Sequence, residues 1–213
     1  MRSFVRALIV LHRTYSSLPA GARVHVLIRF LTCPFLRIVD AIPAGPRSLL
    51  EIGGGHGVFS RLAVDRGIRR ATVVEPDVRK VAAVRPLPAL SFVAGYDACV
   101  RGMFDVVAVV DVMYLVPEGE WDPLLLRLRE RLAPGGILLI KEMDPDARIK
   151  NGWNRFQETL SVRVLRITLG SEMRFERVPG FVARLERLGF AGVTARRIDA
   201  GYPHPHVLYT ARA

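Results

Sequence analysis

Leu49-Leu50-Glu51-Ile52-Gly53-Gly54-Gly55-His56-Gly57 is an apolar run that passes an acid and opens into a glycine-rich turn, and Val58 to Val64 continues in helix-compatible sequence. A strand, a turn without side chains and a helix let backbone approach a bound nucleotide closely. The spacing Glu51-x-Gly53-x-Gly55-x-Gly57 departs from the dinucleotide fingerprint G-x-G-x-x-G, whose third glycine is needed for tight helix–strand packing. Counted from Gly53, that position is Val58. An acid two residues before the first glycine is not needed for a pyrophosphate, which prefers positive and neutral donors. It suits a cationic ligand such as an amino group.

Outward from that turn the chain alternates strand and helix. Ala41 to Pro46 is a turn-rich linker that separates a helical cap, residues 1–42, from a β/α region, residues 43–213. Strands are expected at 47–52, 71–75, 90–94, 104–110 and 137–140, with two late strands at 190–198 and 206–211. Phe104 to Val110 is almost unbroken apolar sequence, as in a central parallel strand buried on both faces. Trp121 to Leu132 has helical apolar spacing, and Pro134-Gly135-Gly136 is expected to end it. Residues 148–188 read as mostly helical, with a break near Pro179-Gly180. The pattern implies a mostly parallel α/β sheet with an antiparallel last strand.

Further motifs follow in order. Val74-Glu75-Pro76-Asp77 places an acid at a strand end, with Asp77 the better helix N-cap and Glu75 therefore freer for a ligand. A carboxylate there can accept two parallel hydroxyl donors. Next come Gly95-Tyr96-Asp97, then Val110-Asp111-Val112-Met113-Tyr114, and then Leu-Ala-Pro-Gly-Gly-Ile-Leu-Leu-Ile over 132–140. Together with the glycine turn these resemble the class I S-adenosylmethionine (SAM) methyltransferases over roughly Arg47 to Ala213. The resemblance implies a Rossmann-like, mostly parallel seven-stranded sheet and SAM as cofactor. It implies that Glu51, Gly53, Gly55, Gly57, Glu75 and Asp111 hold SAM, with Glu75 on the ribose. Asp97 would contact the adenine, although Tyr96 stands where the family commonly has the acid, and Tyr96 could stack on the ring instead.

In an open α/β sheet, ligands sit outside the carboxyl ends of the parallel strands. Tyr114 and Asp144 follow strands four and five on that rim, and Tyr202-Pro203-His204-Pro205-His206 joins the last two strands there. His204, His206 and Asp144 are therefore the candidates for deprotonating an oxygen acceptor, because histidine titrates in the useful range. A nitrogen or carbon acceptor would need less help. Tyr114, Trp153 and Tyr202 are candidates for lining the acceptor pocket. The competing uses are ordinary ones: His204 as a solvated loop residue, His206 as a strand start, Asp144 as a helix cap and Trp153 as core. His56 reads as shaping the turn. Cys33-Pro34 superficially resembles the nucleophile of cytosine-C5 methyltransferases, but precedes the glycine motif and reads as packing.

Composition narrows the partners. Half of the 213 residues are hydrophobic and the formal charge is +11, with a mean hydropathy of +0.24. Among the basic residues lysine occurs only at Lys80, Lys141 and Lys150, and the arginines are scattered. That bias fits GC-rich coding as readily as a nucleic-acid surface. A small-molecule or lipid-like acceptor is the expectation. The alternatives are an RNA- or protein-directed methyltransferase, and a non-catalytic peripheral-membrane module that keeps the fold. Two cysteines without a disulfide framework suggest a reducing cytoplasm. No zinc motif and no magnesium-type acid–Asn pair is present, so no metal is expected. Val24 to Ile42, interrupted by Arg29, Pro34, Arg37 and Asp40, is too broken to span a bilayer. It reads as amphipathic helix packed on the core, with a peripheral membrane contact as its other use. The sequence sets no oligomeric state.

Overall fold

A computed structural model describes residues 2–45, 47–85, 87–144 and 176–213. Its elements, in chain order, are α1 (Arg2–Tyr15), α2 (Ala20–Thr32), α3 (Phe35–Asp40), β1 (Ser48–Ile52), α4 (Val58–Asp65), β2 (Arg70–Glu75) and α5 (Val78–Ala83). These are followed by β3 (Leu90–Ala94), β4 (Phe104–Val110), α6 (Trp121–Glu130), β5 (Leu132–Met143), α7 (Val178–Arg187), β6 (Ala191–Arg197) and β7 (His206–Arg212). The strands form one seven-stranded sheet in the order β3-β2-β1-β4-β5-β7-β6. β1 pairs parallel with β2 and with β4. β7 runs antiparallel to both β5 and β6. The chain reverses its direction of winding between β1 and β4, and at such a switch point the strand ends part to leave a crevice.

Period-two alternation divides the core into two layers. Val106, Ala108 and Val110 of β4 and Leu139 of β5 face the layer beneath α1 to α4. Val107 and Val109 face the other layer, with Leu138 and Ile140 of β5, Leu125 and Leu128 of α6, and Phe181 and Leu185 of α7. Every residue from Val106 to Val110 is buried, which is why this strand reads as a continuous apolar run. The linker joins α3 to β1, yet the apolar layer is continuous across it. Ala7, Leu11 and Tyr15 of α1 and Val26 and Phe30 of α2 belong to the same cluster as Leu49, Phe59 and Leu62.

One local expectation is corrected. The α6 helix ends at Glu130 and β5 begins at Leu132, five residues before the expected Ile137. Leu132 pairs with Phe104, the register then shifts, and pairing resumes at Val106 with Ile137. Pro134-Gly135-Gly136 is thus accommodated as an irregularity inside β5 instead of separating helix from strand. At the break expected near Pro179-Gly180, α7 starts at Val178 with the proline in its first turn. A proline there lacks only an N–H that has no intrahelical partner anyway. Of the helical span expected over 148–188, residues 148–175 lie outside the described residues.

Candidate active site

The glycine turn is fastened to its neighbours before any ligand is considered. Gly53 N–H and Gly54 N–H donate to the Val74 carbonyl at 2.7 and 3.3 Å, so the turn continues the β1–β2 ladder by one step. Gly53 has φ +66°. A Cβ at Gly53 would meet Val112 Cγ2 at 2.6 Å, so both backbone freedom and close approach require glycine there. Gly55, at φ +60°, is different: a Cβ on it would meet nothing within 4 Å. It faces open space over the turn, a cradle that a ligand could enter. Gly57, at φ +73°, sits at the N-cap of α4.

Two buried acids flank this turn, and one of them bonds to it directly. Glu75, buried at the end of β2, accepts from Gly55 N–H at 2.8 Å and, through its other oxygen, from Asp77 N–H at 3.1 Å. Lys80 Nζ approaches it at 3.5 Å. Asp77 caps α5 through a bond from Arg79 N–H, as the sequence indicated. Glu51 is buried below the turn, where Oε2 accepts from Ser60 N–H at 3.1 Å and from the Ser60 hydroxyl at 2.5 Å. Burial pushes the Glu51 carboxyl up to about 7, against the opposing pull of Ser60. Ser60, the third residue of α4, is a contact without any signal in the sequence.

The helical cap lies against the same turn. Tyr15 of α1 donates its hydroxyl to the His56 carbonyl at 2.8 Å. His25 of α2 sits with its ring 6.1 Å from that of His56. Burial and neighbouring positive charge lower the affinity of both imidazoles for a proton, so they face the turn as neutral rings.

A second cluster forms where β4 and β5 end. Asp111 follows β4 with φ +59°, an uncommon conformation for a side-chain-bearing residue, which asparagine and aspartate tolerate best. Its carboxylate accepts from Arg29 of α2 at 2.8 Å and, through the other oxygen, from Lys141 of β5. Lys141 is only 1% exposed. The two cations hold the Asp111 carboxyl far below the usual carboxylate range despite its burial. Cys33 lies against the same acid, and burial together with that charge pushes its thiol up to about 12. It stays protonated, in keeping with a packing role.

His204 and His206 come together beside this cluster, with rings 6.0 Å apart, and Tyr202 lies 5.9 Å from His206. His206 is buried, and its Nε2 lies 2.9 Å from the Thr32 carbonyl. A carbonyl can only accept, so Nε2 carries the hydrogen and a neutral ring must present a bare lone pair at Nδ1. That atom has no hydrogen-bond partner among the described residues. Burial and the Lys141 charge lower the His206 pKa to about 4, so the ring is neutral at physiological pH. Tyr202 is also covered by Arg37, whose guanidinium carbon stands 5.5 Å from the ring centre.

The remaining candidates are held elsewhere. Asp144 is on the expected rim, but Arg197 of β6 donates to its Oδ2 twice, at 3.0 and 2.8 Å. Asp97 pairs with Arg127 of α6 at 2.6 Å, one strand end away from Glu75. Tyr114 lines a small cavity with Met113, Trp121, Glu142, Met143 and Phe181. Trp153 lies outside the described residues. Glu142, which the sequence did not single out, accepts from Val112 and Met113 N–H at 3.1 and 2.9 Å and so holds the loop after β4. Its Oε2 is buried with no partner among the described residues. Arg29 and Lys141 were likewise missed. Arg29 is marked in the sequence only as a lone charge in an apolar run, and Lys141 only as the first charge after one.

Among the described residues no group of His, Cys, Asp and Glu could hold a metal ion. The residues around the turn do fit a nucleoside: an open glycine backbone at Gly55, the two buried acids Glu51 and Glu75, and the neutral ring of His25 reaching His56 of the turn from the cap.

A family model described as a methyltransferase domain matches residues 25–194. Demethylspheroidene O-methyltransferase of Rhodobacter capsulatus is 32% identical over 133 residues, covering 60% of this chain and 32% of that protein. The chain thus spans about a third of the length of that curated relative. Among solved structures, an O-methyltransferase family protein from Burkholderia thailandensis superposes with a TM-score of 0.66 at 18% identity, over 88% of this chain and 56% of the other. Human N-acetylserotonin methyltransferase in complex with SAM gives 0.66 at 15% identity, over 88% and 54%. These two likenesses concern the fold.

Proposed function

The chain belongs to the class I SAM-dependent methyltransferase family, and from that premise we propose that it transfers a methyl group from SAM to an oxygen of a small or lipid-like acceptor. The observation that carries the oxygen reading is the bare Nδ1 of His206 beside the Arg29–Asp111–Lys141 cluster, at the rim where acceptors of this fold class bind. The O-methyltransferase relative supports the same acceptor class.

The roles divide by position. Gly53, Gly55 and Gly57 admit the cofactor to the backbone, and Glu75 takes the ribose hydroxyls on the lone pairs that Gly55 and Asp77 leave open. The second carboxylate oxygen of Glu51 faces the cationic amino group. Asp111 orders the methionine end, and Asp97 stays a candidate for the adenine side, reached by exchanging part of its bond to Arg127. Bound SAM supplies a sulfonium methyl that is already activated, so the protein's task is alignment and exclusion of water. His206 Nδ1 accepts a hydrogen bond from the acceptor's hydroxyl and orients it, with Thr32 keeping the ring in that tautomer, and its pKa of about 4 makes it an orienting group before a base. His204 and Tyr202 wall the same space, and Tyr114 lines the acceptor pocket. Asp144 anchors β6 through Arg197 and is the second choice as base. Residues 1–42 act as the cap that covers cofactor and acceptor. The two free cysteines accord with a reducing cytoplasm.

Glu51 makes the cofactor site pH-dependent. Its free-state pKa of about 7 means the carboxyl is largely protonated below that value. A cationic amino group binds the ionised form, so affinity for S-adenosylhomocysteine should fall about tenfold per pH unit below 7 and level off above it. Calorimetric titration from about pH 5.5 to 8.5 measures this, and a flat profile would remove Glu51 from the binding set.

The acceptor class is tested by incubating the protein with methyl-labelled SAM and fractionated cell extract. Label is expected in a low-mass or lipid fraction, in an alkali-stable ether. Label in RNA or protein instead would replace this reading with the macromolecular one, whose binding should also fall steeply with salt.

A further inference from the structure

The outer surface of the cap is apolar where a protein surface is ordinarily mixed. Among the described residues, seven of the eleven exposed large apolar side chains belong to α1 and α2. On α2, Val24, Leu27, Ile28 and Leu31 follow the i, i+3, i+4, i+7 spacing of a single helix face. The opposite face, with Val26 and Phe30, is buried in the core. On α1, Val5 and Ile9 are exposed while Ala7, Leu11 and Tyr15 are buried. Phe4 and Phe30 meet with ring centres 5.2 Å apart, which brings the start of α1 beside the end of α2.

The charge carried by α1 and α2 themselves is of one sign. Residues 1–39 contain six arginines and no aspartate or glutamate. Arg29 is turned inward to Asp111 and Arg6 is paired with Asp65, whereas Arg13 and Arg23 are exposed beside the patch. We propose that the outer face of α1 and α2 docks on an anionic lipid bilayer, with the apolar side chains entering the interface and the arginines meeting the headgroups.

Charge selects this occupant. A second copy packed on the same face would set arginines against arginines with no acid from residues 1–39 to offset them. A nucleic acid would meet the cations but would bury aliphatic side chains against phosphates. An anionic bilayer satisfies both features, as do amphipathic helices that lie in the membrane plane. No helix among the described residues is long and apolar enough to cross a membrane, so the contact is peripheral. The inner face of α2 carries Arg29 and Thr32 into the acceptor end of the site. Docking therefore sets that site about one helix diameter, on the order of 10 Å, from the lipid surface.

Vesicle flotation tests the proposal with the full chain. Wild-type protein should float with mixed phosphatidylcholine–phosphatidylglycerol vesicles, stay behind with pure phosphatidylcholine, and bind less as salt rises. Leu27→Glu/Ile28→Glu should reduce flotation by about tenfold or more, and Arg13→Gln/Arg23→Gln should reduce it several-fold on anionic vesicles only. All four positions are exposed, so both variants should melt with the wild type, and circular dichroism checks this. Absence of wild-type flotation, equal flotation on both vesicle types, or variants that float like wild type would overturn the proposal. So would a stable dimer in sedimentation that the glutamate pair dissolves.

Discussion

Asp111→Asn should destabilise the protein by about 3 kcal/mol at neutral pH, as read from urea unfolding, although it removes one charge and almost no volume. Asparagine tolerates the positive φ of this position nearly as well as aspartate, so the backbone is not the cause. What changes is the charge balance at a buried point. Lys141 is 1% exposed and would lose the carboxylate it donates to, with only the neighbouring buried Glu142 carboxyl left to offset its charge, while Arg29, with its side chain 33% exposed, can recover some water. Removing one partner of a buried pair typically costs about 3–5 kcal/mol, and the partial exposure of Arg29 sets this case at the lower end. Because the Asp111 pKa is depressed in the folded state, its contribution is complete above the unfolded value of about 3.9 and is lost as pH falls through the folded one. The difference between wild type and variant should therefore shrink in acid. A neutral-pH loss below about 1 kcal/mol would mean that Lys141 discharges or repacks without cost.

The second large effect concerns the turn itself. Glu75→Ala should weaken S-adenosylhomocysteine binding by about 2–3 kcal/mol, a rise in Kd of roughly 30- to 150-fold. Two losses combine. Gly55 and Asp77 N–H lose their acceptor, which loosens the turn before any ligand arrives. The ribose hydroxyls then lose a carboxylate that can accept both in parallel. Glu75→Gln keeps one oxygen acceptor and should fall between the two. An unchanged Kd for the alanine variant would place the ribose elsewhere.

How much of this was legible in the sequence depended on the range of the interaction. The glycine turn, the Asp77 cap and the buried β4 strand were readable because each rests on the conformational needs or burial of neighbouring residues. The mostly parallel sheet followed from their alternation, and the antiparallel β7 from the short connection before it. The late start of β5 was misread because Pro134-Gly135-Gly136 resembles a terminator, and only the facing strand can absorb it as a register shift. Pro179-Gly180 was legible as a break but not as a helix start, because a helix breaker and an N-terminal proline look alike until the helix start is known.

The site was legible on one side only. Gly53, Gly55 and Glu75 stand within a short stretch and meet as their spacing suggests. Arg29 and Asp111 are 82 residues apart, and His206 and Thr32 are 174 apart. No local pattern announces that α2 will reach over the sheet to both. The tautomer of His206 is likewise a property of the fold, since it depends on a carbonyl at the end of that helix.

The central claim is that the turn at Gly53 to Gly57, flanked by Glu51 and Glu75, is a SAM site. Calorimetric titration of the wild-type chain with S-adenosylhomocysteine tests it most directly. The account predicts saturable one-to-one binding in the range of about 1–100 μM, or roughly −8 to −5 kcal/mol. Absence of binding at about 1 mM ligand, with the protein folded by circular dichroism, would contradict it.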